Sequence, residues 1–388
     1  MIGAGLTVGS ACGSGDEALT DRSVTDGVEH ILFRGSDVPL GWKFDTDLEI
    51  TPASSAGIAP HAVQPWEVGA DRDGRVYLLD PPAGKIIVFG RSGRVVGDMG
   101  RSGAPGELID PVALAISDEG AVAAYDDEVR GIVLWGASGE KPRVEPLEPV
   151  FWGPDLGLAS WGVLFPTLSP GAARGETVQL VAVAATRTGI LAELARSTVT
   201  ASFPECGLVD VPVEPIFEPR IVWGLGKDVV AVTAGPRYEI AIFRRGVLER
   251  TIARDIAPLP ASRELALSEA GDGVTLGAPV ACRVSPEALV DRRGFEATIP
   301  VISGLAVAPD GTIWTTRGGL GDEGASRIDV FAASGEYLGT LPPGSPSPVA
   351  FAGGATDYRV VSIRSEEAGG DAIVIHRIVR PSARPANQ

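Results

Sequence analysis

An internal repeat constrains the fold of this chain more than any other feature. Residues 73–93 (DGRVYLLDPPAGKIIVFGRSG) and residues 119–139 (EGAVAAYDDEVRGIVLWGASG) are two versions of one pattern, and at an offset of 46 residues Asp80 aligns with Asp126. Units that recur at a fixed period bury their apolar faces against each other around one core. The 388 residues therefore need not divide into the two or three domains that their length alone would suggest.

Each copy of the repeat has the pattern of a small antiparallel sheet. Short runs of β-branched, aliphatic and aromatic residues end at Gly, Asp-Gly or Ser-Gly turns, and a further short strand precedes each copy. Four antiparallel strands in about 46 residues are typical of one blade of a β-propeller. A third clear copy covers residues 302–341, with an insertion between its second and third strands, and weaker copies cover residues 177–200, 221–252 and 349–379.

The repeats predict an all-β fold, a six-bladed β-propeller with four-stranded antiparallel blades. We expect residues 21–380 to form this single domain, after an export signal and tether at residues 1–20 and before a tail at residues 381–388. The blades are expected to start near residues 62, 109, 158, 218, 302 and 348. Because an open sheet edge invites aggregation, we expect the N-terminal segment 28–35 (VEHILFRG) to pair into the last blade and close the ring.

The charge balance excludes one class of partner. The net charge of −17 repels polyanions, and nucleic-acid binding draws its affinity from Lys and Arg that neutralise phosphates. We therefore expect no binding to nucleic acid or to anionic lipid surfaces. The expected partners of a monomeric chain are a protein, a peptide or a glycan.

The first residues, MIGAGLTVGSACGSG, form a short apolar run that is too short to span a bilayer but suits the hydrophobic region of a signal peptide. Residues 9–12 (GSAC) resemble the lipobox of bacterial lipoproteins. The resemblance implies lipidation of Cys12 and an extracytoplasmic location, either periplasmic or anchored to the outer membrane, with contact to the membrane only through the lipid. Cys206 and Cys282 show no metal-ligand spacing, and in an oxidising compartment they form either one disulfide or two buried thiols.

Two stretches also carry a family resemblance. Residues 100–120 (GRSGAPGELIDPVALAISDEG) and residues 302–341 resemble the NHL-repeat propellers, in which a Gly-rich loop leads through a Pro-Gly-Glu step into a strand and an Asp-Gly turn. The whole chain resembles six-bladed propeller lipoproteins of bacteria. The resemblance implies the fold and export, and it implies little about activity.

Chain order predicts which face of the propeller binds a ligand. The turns between first and second strands and between third and fourth strands are short, whereas the longer loops share the opposite face, which we call the long-loop face. Length variation on one face of a repeat fold indicates a binding surface. The candidate ligand-binding residues on it are Asp80, Arg101, Asp110, Asp126, Arg130, Arg237 and Arg317. Arginine in this setting binds carboxylate or phosphate in bidentate fashion; the alternative is that these residues only pack or carry surface charge.

Two short helices are expected in the long connection before residue 302, at residues 260–273 and 285–295, either as a lid or as plain excursions between blades. The preferred function is binding of a peptide, glycan or envelope protein on the long-loop face. The alternatives are a metal-assisted hydrolase or lyase acting at the central channel, and a structural module of an envelope complex. No cofactor is predicted, although acidic residues leave a calcium site open.

Overall fold

The fold is described by a computed structural model, which covers residues 20–51, 63–137, 140–147, 153, 155–170, 176–184, 187–276, 282–318, 326–366 and 370–381. Six sheets of at least four strands are formed within these residues. They are the blades of a propeller, so the prediction of an all-β, six-bladed β-propeller with four-stranded antiparallel blades is confirmed. Residues 1–19, including Cys12, and residues 382–388 lie outside the described part.

The strands of the N-terminal region and of the first three blades follow each other along the chain. The N-terminal strands are β1 (Thr20–Thr25), β2 (Val28–Phe33) and β3 (Lys43–Ile50). Blade 1 contains β4 (Val68–Ala70), β5 (Val76–Asp80), β6 (Lys85–Phe89) and β7 (Val95–Met99). Blade 2 contains β8 (Pro111–Ile116), β9 (Val122–Asp126), β10 (Gly131–Trp135) and β11 (Arg143–Pro146). Blade 3 contains β12 (Gly157–Ala159), β13 (Gly162–Pro170), β14 (Glu176–Ala184) and β15 (Arg187–Ala195).

Two long excursions separate the later blades. A hairpin, β16 (Val199–Phe203) and β17 (Leu208–Val213), precedes blade 4, whose strands are β18 (Ile221–Leu225), β19 (Val229–Ala234), β20 (Glu239–Arg244) and β21 (Val247–Arg254). The second excursion contains β22 (Leu259–Pro260), α1 (Arg263–Ala270), β23 (Val274–Leu276), β24 (Cys282–Val284), α2 (Pro286–Arg293) and β25 (Thr298–Ile299). Blade 5 contains β26 (Ile302–Val307), β27 (Ile313–Arg317), β28 (Arg327–Phe331) and β29 (Tyr337–Thr340). Blade 6 contains β30 (Ala350–Ala352), β31 (Arg359–Glu366) and β32 (Gly370–Val379).

The N-terminal strands join two different blades. β3 pairs antiparallel with β32 and is the outer strand of blade 6. The expectation that residues 28–35 pair into the last blade is wrong, because β2 instead pairs in parallel with β21 and β1 pairs with β2, which gives blade 4 six strands. β2 is suited to that position, since its Ile31 and Phe33 are buried in the apolar layer between blades 4 and 5.

Apolar layers between neighbouring blades form the core. One cluster of buried residues fills each junction, from blades 1 and 2 around to blades 6 and 1. At the last junction Ile50 of β3 and Ile373 of β32 pack with Phe89 of blade 1. Alternate residues of each strand serve the two junctions on its two sides, which explains why the strands read as almost continuous apolar runs.

The turn glycines of the repeat have the conformation that the sequence pattern requires. Gly74, Gly120 and Gly311 have φ values of 76°, 84° and 82° at the turns between first and second strands. Glycine takes this left-handed conformation without the steric cost that a Cβ would add. No helix in the described residues is both long and apolar enough to cross a bilayer.

Candidate functional site

The two excursions, residues 196–220 and 255–301, pack against each other, and we call this unit the cap. Phe203 of the first excursion is buried with Val284 and Leu289 of the second, and Ile216 is buried with Val290. Both expected helices are present, as α1 and α2, and each begins after a serine whose side chain accepts a backbone hydrogen bond. The cap is thus a small second core outside the ring.

Covalent and polar links hold the two excursions of the cap together. Cys206 and Cys282 are joined by a disulfide with a Cα–Cα distance of 5.3 Å. The backbone N–H of Ile216 donates to the carbonyl of Gly294 (3.0 Å), and the N–H of Glu296 donates to the carbonyl of Ile216 (2.9 Å). These links fix one excursion relative to the other across a sequence separation of 76 residues between the cysteines.

A cavity of about 540 Å³ lies between the cap and the first residues of the inner strands of blades 4 and 5. Inner strands begin where the chain arrives from the preceding blade, so the cavity opens on the long-loop face. Its apolar lining includes Val222, Ile299 and Ile302, and its charged lining consists of Glu218, Arg220, Glu269, Arg293 and Arg317. A concave site with apolar walls and a few charged groups has the character of a small-molecule site.

Two arginines of the cavity share one acidic neighbour. Arg293 at the end of α2 donates from Nε to the backbone carbonyl of Glu214 (2.8 Å), and Nη2 of Arg220 lies 3.7 Å from Oε2 of Glu214. The same Glu214 carboxylate also pairs with Nε of Arg196 at 3.0 Å. Burial lowers the pKa of the Arg293 guanidinium, Glu214 raises it and the charge of Arg220 lowers it further. Positive charge therefore exceeds negative charge at this end of the cavity.

Glu218 occupies another part of the wall, beside the carboxyl group of Glu296. Glu218 is 9% exposed, and its Oε1 accepts a hydrogen bond from the N–H of Ser197 (2.7 Å), whereas its Oε2 has no hydrogen-bond donor among the described residues. Burial raises the pKa of Glu218, and the adjacent Glu296 carboxyl raises it further. Two ionised carboxylates repel each other, so the neighbouring Glu296 disfavours the ionised form of Glu218.

Among the seven candidate residues, the structure brings one to the cavity. Arg317 lines it, and its Nη2 also binds Oδ2 of Asp37 (2.6 Å) and Oδ1 of Asp329 (3.2 Å). Four others are exposed elsewhere on the surface: Arg101, Asp110, Arg130 and Arg237. Arg101 pairs with Asp98. A ligand-binding role for these four exposed residues stays a prediction.

Asp80 and Asp126, which align in the repeat, are fully buried but have different surroundings. The Asp126 carboxylate accepts backbone N–H groups from Ile109 (2.6 Å), Asp110 (3.1 Å) and Val129 (3.0 Å), so it fixes the loop before β8. Asp80 has no hydrogen-bond partner for either oxygen within the described part, and Nζ of Lys85 lies 3.9 Å away.

The neighbours of Asp80 explain the difference. The N–H groups at residues 63 and 64, one repeat of 46 residues before Ile109 and Asp110, are taken by other carboxylates. Val63 donates to Oδ2 of Asp371 (2.8 Å), and Gln64 donates to Oε2 of Glu67 (2.9 Å). Substitution around an aspartate, and not of the aspartate itself, has therefore changed its role between two copies of the repeat.

Sequence reasoning missed Arg220, Arg293 and Glu218. One signal was available for two of them: Glu218 and Arg220 immediately precede the inner strand of blade 4, the position that led to Asp110 in blade 2. The position of Arg293 follows from the packing of α2 in the cap, which no repeat encodes. Within the described residues, no group of three or more His, Cys, Asp or Glu side chains is arranged to hold a metal ion.

Comparison with known proteins finds distant similarity to solved structures and no match to a family model or a curated protein. Among solved structures, the chain is similar to a Bacteroides fragilis protein provisionally named as exported (11% identity, 87% of this chain and 95% of that chain, TM-score 0.42). It is also similar to a gluconolactonase of Xanthomonas campestris (12%, 89% and 98%, 0.39) and to virginiamycin B lyase of Staphylococcus aureus (12%, 87% and 100%, 0.35). Likeness at this level carries no argument about activity.

Proposed function

We propose that this protein is an exported binding propeller that is anchored through a lipid on Cys12 and holds its ligand in the cavity between the cap and blades 4 and 5. The observation that carries the proposal is the cavity itself, which a second, disulfide-linked core builds on the long-loop face. Long insertions that pack into a rigid unit over one face of a repeat fold are where such folds carry function.

The distribution of charge favours the cavity as the site for an acidic ligand. The chain has a net charge of −17, and the cavity concentrates three of its arginines. A peptide end, a glycan with an acidic group or a loop of an envelope protein would meet complementary charge at these arginines, whereas nucleic acid would be repelled by the net negative charge of the chain.

The proposal is tested by filling the cavity. Val222→Trp adds a large ring on the inner strand of blade 4, and Val247→Trp adds the same ring at a 57% exposed position of β21, away from the cavity. A fragment library is screened by ligand-observed NMR against the wild type and both variants. We expect the fragments that bind the wild type to be lost with Val222→Trp and kept with Val247→Trp. Fragments that bind all three proteins alike would overturn the proposal.

A further inference from the structure

The arginines of the cavity differ in how far their charges are already neutralised. Arg317 is bound to two carboxylates, those of Asp37 and Asp329. No carboxylate in the described part of the chain forms an ion pair with Arg293, whose Nε donates a hydrogen bond to the backbone carbonyl of Glu214. Within the described residues, the one ion pair of Arg220 is the long contact of 3.7 Å to Glu214, and its side chain is 76% exposed. Arg220 and Arg293 therefore keep donors and charge for a ligand.

The acidic groups near these arginines neutralise only part of their charge. Glu214 faces three arginines, which leaves an excess of positive charge around it. Asp155 is exposed at the surface, but the protein around its carboxyl group partly excludes water and so raises its pKa. The charge of Arg220 lowers that pKa and offsets part of the rise. Glu218 lines the same cavity, and its Oε1 already accepts a hydrogen bond from the N–H of Ser197 (2.7 Å).

The rest of the wall is apolar close to these groups. Val222 precedes the middle of β18, Ile299 is 6% exposed and Ile302 is 3% exposed, and all three line the same cavity as Arg220 and Arg293. An inorganic anion would leave this apolar surface in contact with water. A ligand that combines an oxyanion with an apolar part would cover both, and burial of apolar surface contributes roughly 25 cal/mol per Å².

We propose that the cavity binds a small organic acid, whose carboxylate or phosphate is held by the guanidinium groups of Arg220 and Arg293 and whose apolar part lies against Val222, Ile299 and Ile302. This inference rests on the proposed function, because it names the ligand class of the same cavity. Guanidinium groups bind planar oxyanions through two parallel N–H donors, and such charge-assisted hydrogen bonds are the strong ones. Glu269 on the exposed side of the cavity disfavours ligands with several negative charges.

The test uses three probes with the full chain. They are 3-phenylpropionate, its neutral amide 3-phenylpropionamide, and inorganic phosphate, and binding is measured by titration calorimetry and ligand-observed NMR. We expect 3-phenylpropionate to bind more tightly than either of the others, since the amide lacks the charge and phosphate lacks the apolar part. Arg220→Gln and Arg293→Gln should each lower the affinity for 3-phenylpropionate by about tenfold, because each removes one hydrogen bond to a charged group.

Matched variants separate the possible causes of weaker 3-phenylpropionate binding. Arg263→Gln removes the same charge from the cap, but Arg263 pairs with Asp291 on the helix surface, so binding should be unchanged. Arg293→Lys keeps the charge and loses the planar donor pair, so it should bind less tightly than the wild type and more tightly than Arg293→Gln. Thermal unfolding of each variant shows that it is folded.

The outcomes distinguish this inference from the proposed function. If the acid and the amide bind equally and Val222→Trp abolishes both, the cavity binds ligands but does not select an oxyanion, and only the inference fails. If the acid binds and none of Arg220→Gln, Arg293→Gln and Val222→Trp weakens it, the anion lies elsewhere and the inference is overturned. If the acid fails to bind while other fragments bind in a Val222→Trp-sensitive way, the ligand class is wrong.

Discussion

Arg254 of blade 4 and Asp329 of blade 5 form an ion pair of 2.8 Å in which the side chains are 2% and 0% exposed. The Asp329 carboxylate also accepts hydrogen bonds from Tyr238 (2.8 Å) and Thr340 (2.6 Å), and the Arg254 guanidinium lies 4.3 Å from the ring centre of Tyr337. The junction between blades 4 and 5, which carries the cavity, therefore contains a polar network inside its apolar layer.

Removing one partner of this pair should strongly destabilise the protein. Arg254→Met leaves the Asp329 charge buried beside Tyr238, and breaking a buried pair in this way costs about 3–5 kcal/mol. The free energy of unfolding is measured in urea. Arg244→Gln, which breaks the exposed pair with Glu249 in the same blade, is the control and should cost about 0–1 kcal/mol. Equal losses of unfolding free energy in the two variants would show that the buried pair contributes no more to stability than the exposed pair.

The Glu218 carboxyl should make stability depend on pH. Burial raises its pKa from 4.5, and the Glu296 carboxyl raises it further. An acid with a raised folded-state pKa binds its proton more tightly in the folded protein. Ionisation of Glu218 therefore does not destabilise the fold below about pH 4.5, and the destabilisation grows with pH until it is complete above the folded-state pKa. Glu218→Gln should raise the melting temperature at pH 7–8 by about 1–2 °C and leave it unchanged at pH 4.

The control for that experiment is Glu269→Gln. It removes the same charge from an exposed position of the same cavity, and exposed substitutions usually change stability by no more than about 0.5 kcal/mol. A Glu218→Gln variant whose melting temperature follows that of the wild type at every pH would contradict the account of the carboxyl pair.

The strands and turns of the blades were predictable from the sequence, and the cavity was not. Period-two strands and turn glycines such as Gly74 and Gly120 are local signals, repeated often enough to define the blade. Asp80 and Asp126 occupy the same place in the repeat, but their surroundings differ, in part because the carboxylate of Asp371, which is distant in sequence, takes the Val63 donor near Asp80. A local pattern cannot contain that information.

The same limit explains the two main differences from expectation. β2 and β3 both read as N-terminal strands, and only the packing of Ile31 and Ile50 decides which blade each one joins. Arg220 and Arg293 come from excursions that share no repeat and meet through their own small core. The cysteines were the one sequence feature that pointed across that distance, and spacing alone left them either bonded or free.

Loss of the disulfide should open the cap before it affects the blades. Cys206 and Cys282 close a loop of 76 residues that contains β18 to β21 of blade 4, and losing such a bond costs about 2–4 kcal/mol. In the Cys206→Ser, Cys282→Ser double variant we expect faster amide hydrogen exchange in β16, β17 and α2, and little change in blades 1 and 2. Exchange that rises equally in all blades would contradict a separable cap. Wild type treated with a reductant should reproduce the variant.

Gly224 should tolerate no side chain. A Cβ at this position of β18 would lie 2.8 Å from both Cα of Ala306 and the carbonyl oxygen of Leu305, which are backbone atoms that cannot move aside. Gly224→Ala should therefore destabilise the junction of blades 4 and 5 by about 1–3 kcal/mol, as overpacking does. Gly97→Ala is the matched control on the outer strand of blade 1, where nothing lies within 4 Å. Equal midpoints of urea unfolding for Gly224→Ala and Gly97→Ala would contradict this prediction.

The lipid anchor is tested at Cys12. If the resemblance of residues 9–12 to a lipobox is correct, the thiol of Cys12 carries the lipid and holds the mature protein at a membrane. Cys12→Ser should move the protein from the detergent-extracted membrane fraction to the soluble fraction of a bacterial host, with a lower mass at the mature N-terminus. The Cys206→Ser, Cys282→Ser double variant should remain in the membrane fraction, because its substitutions lie in the cap. A Cys12→Ser protein that still fractionates with membranes would show that membrane association does not depend on this cysteine.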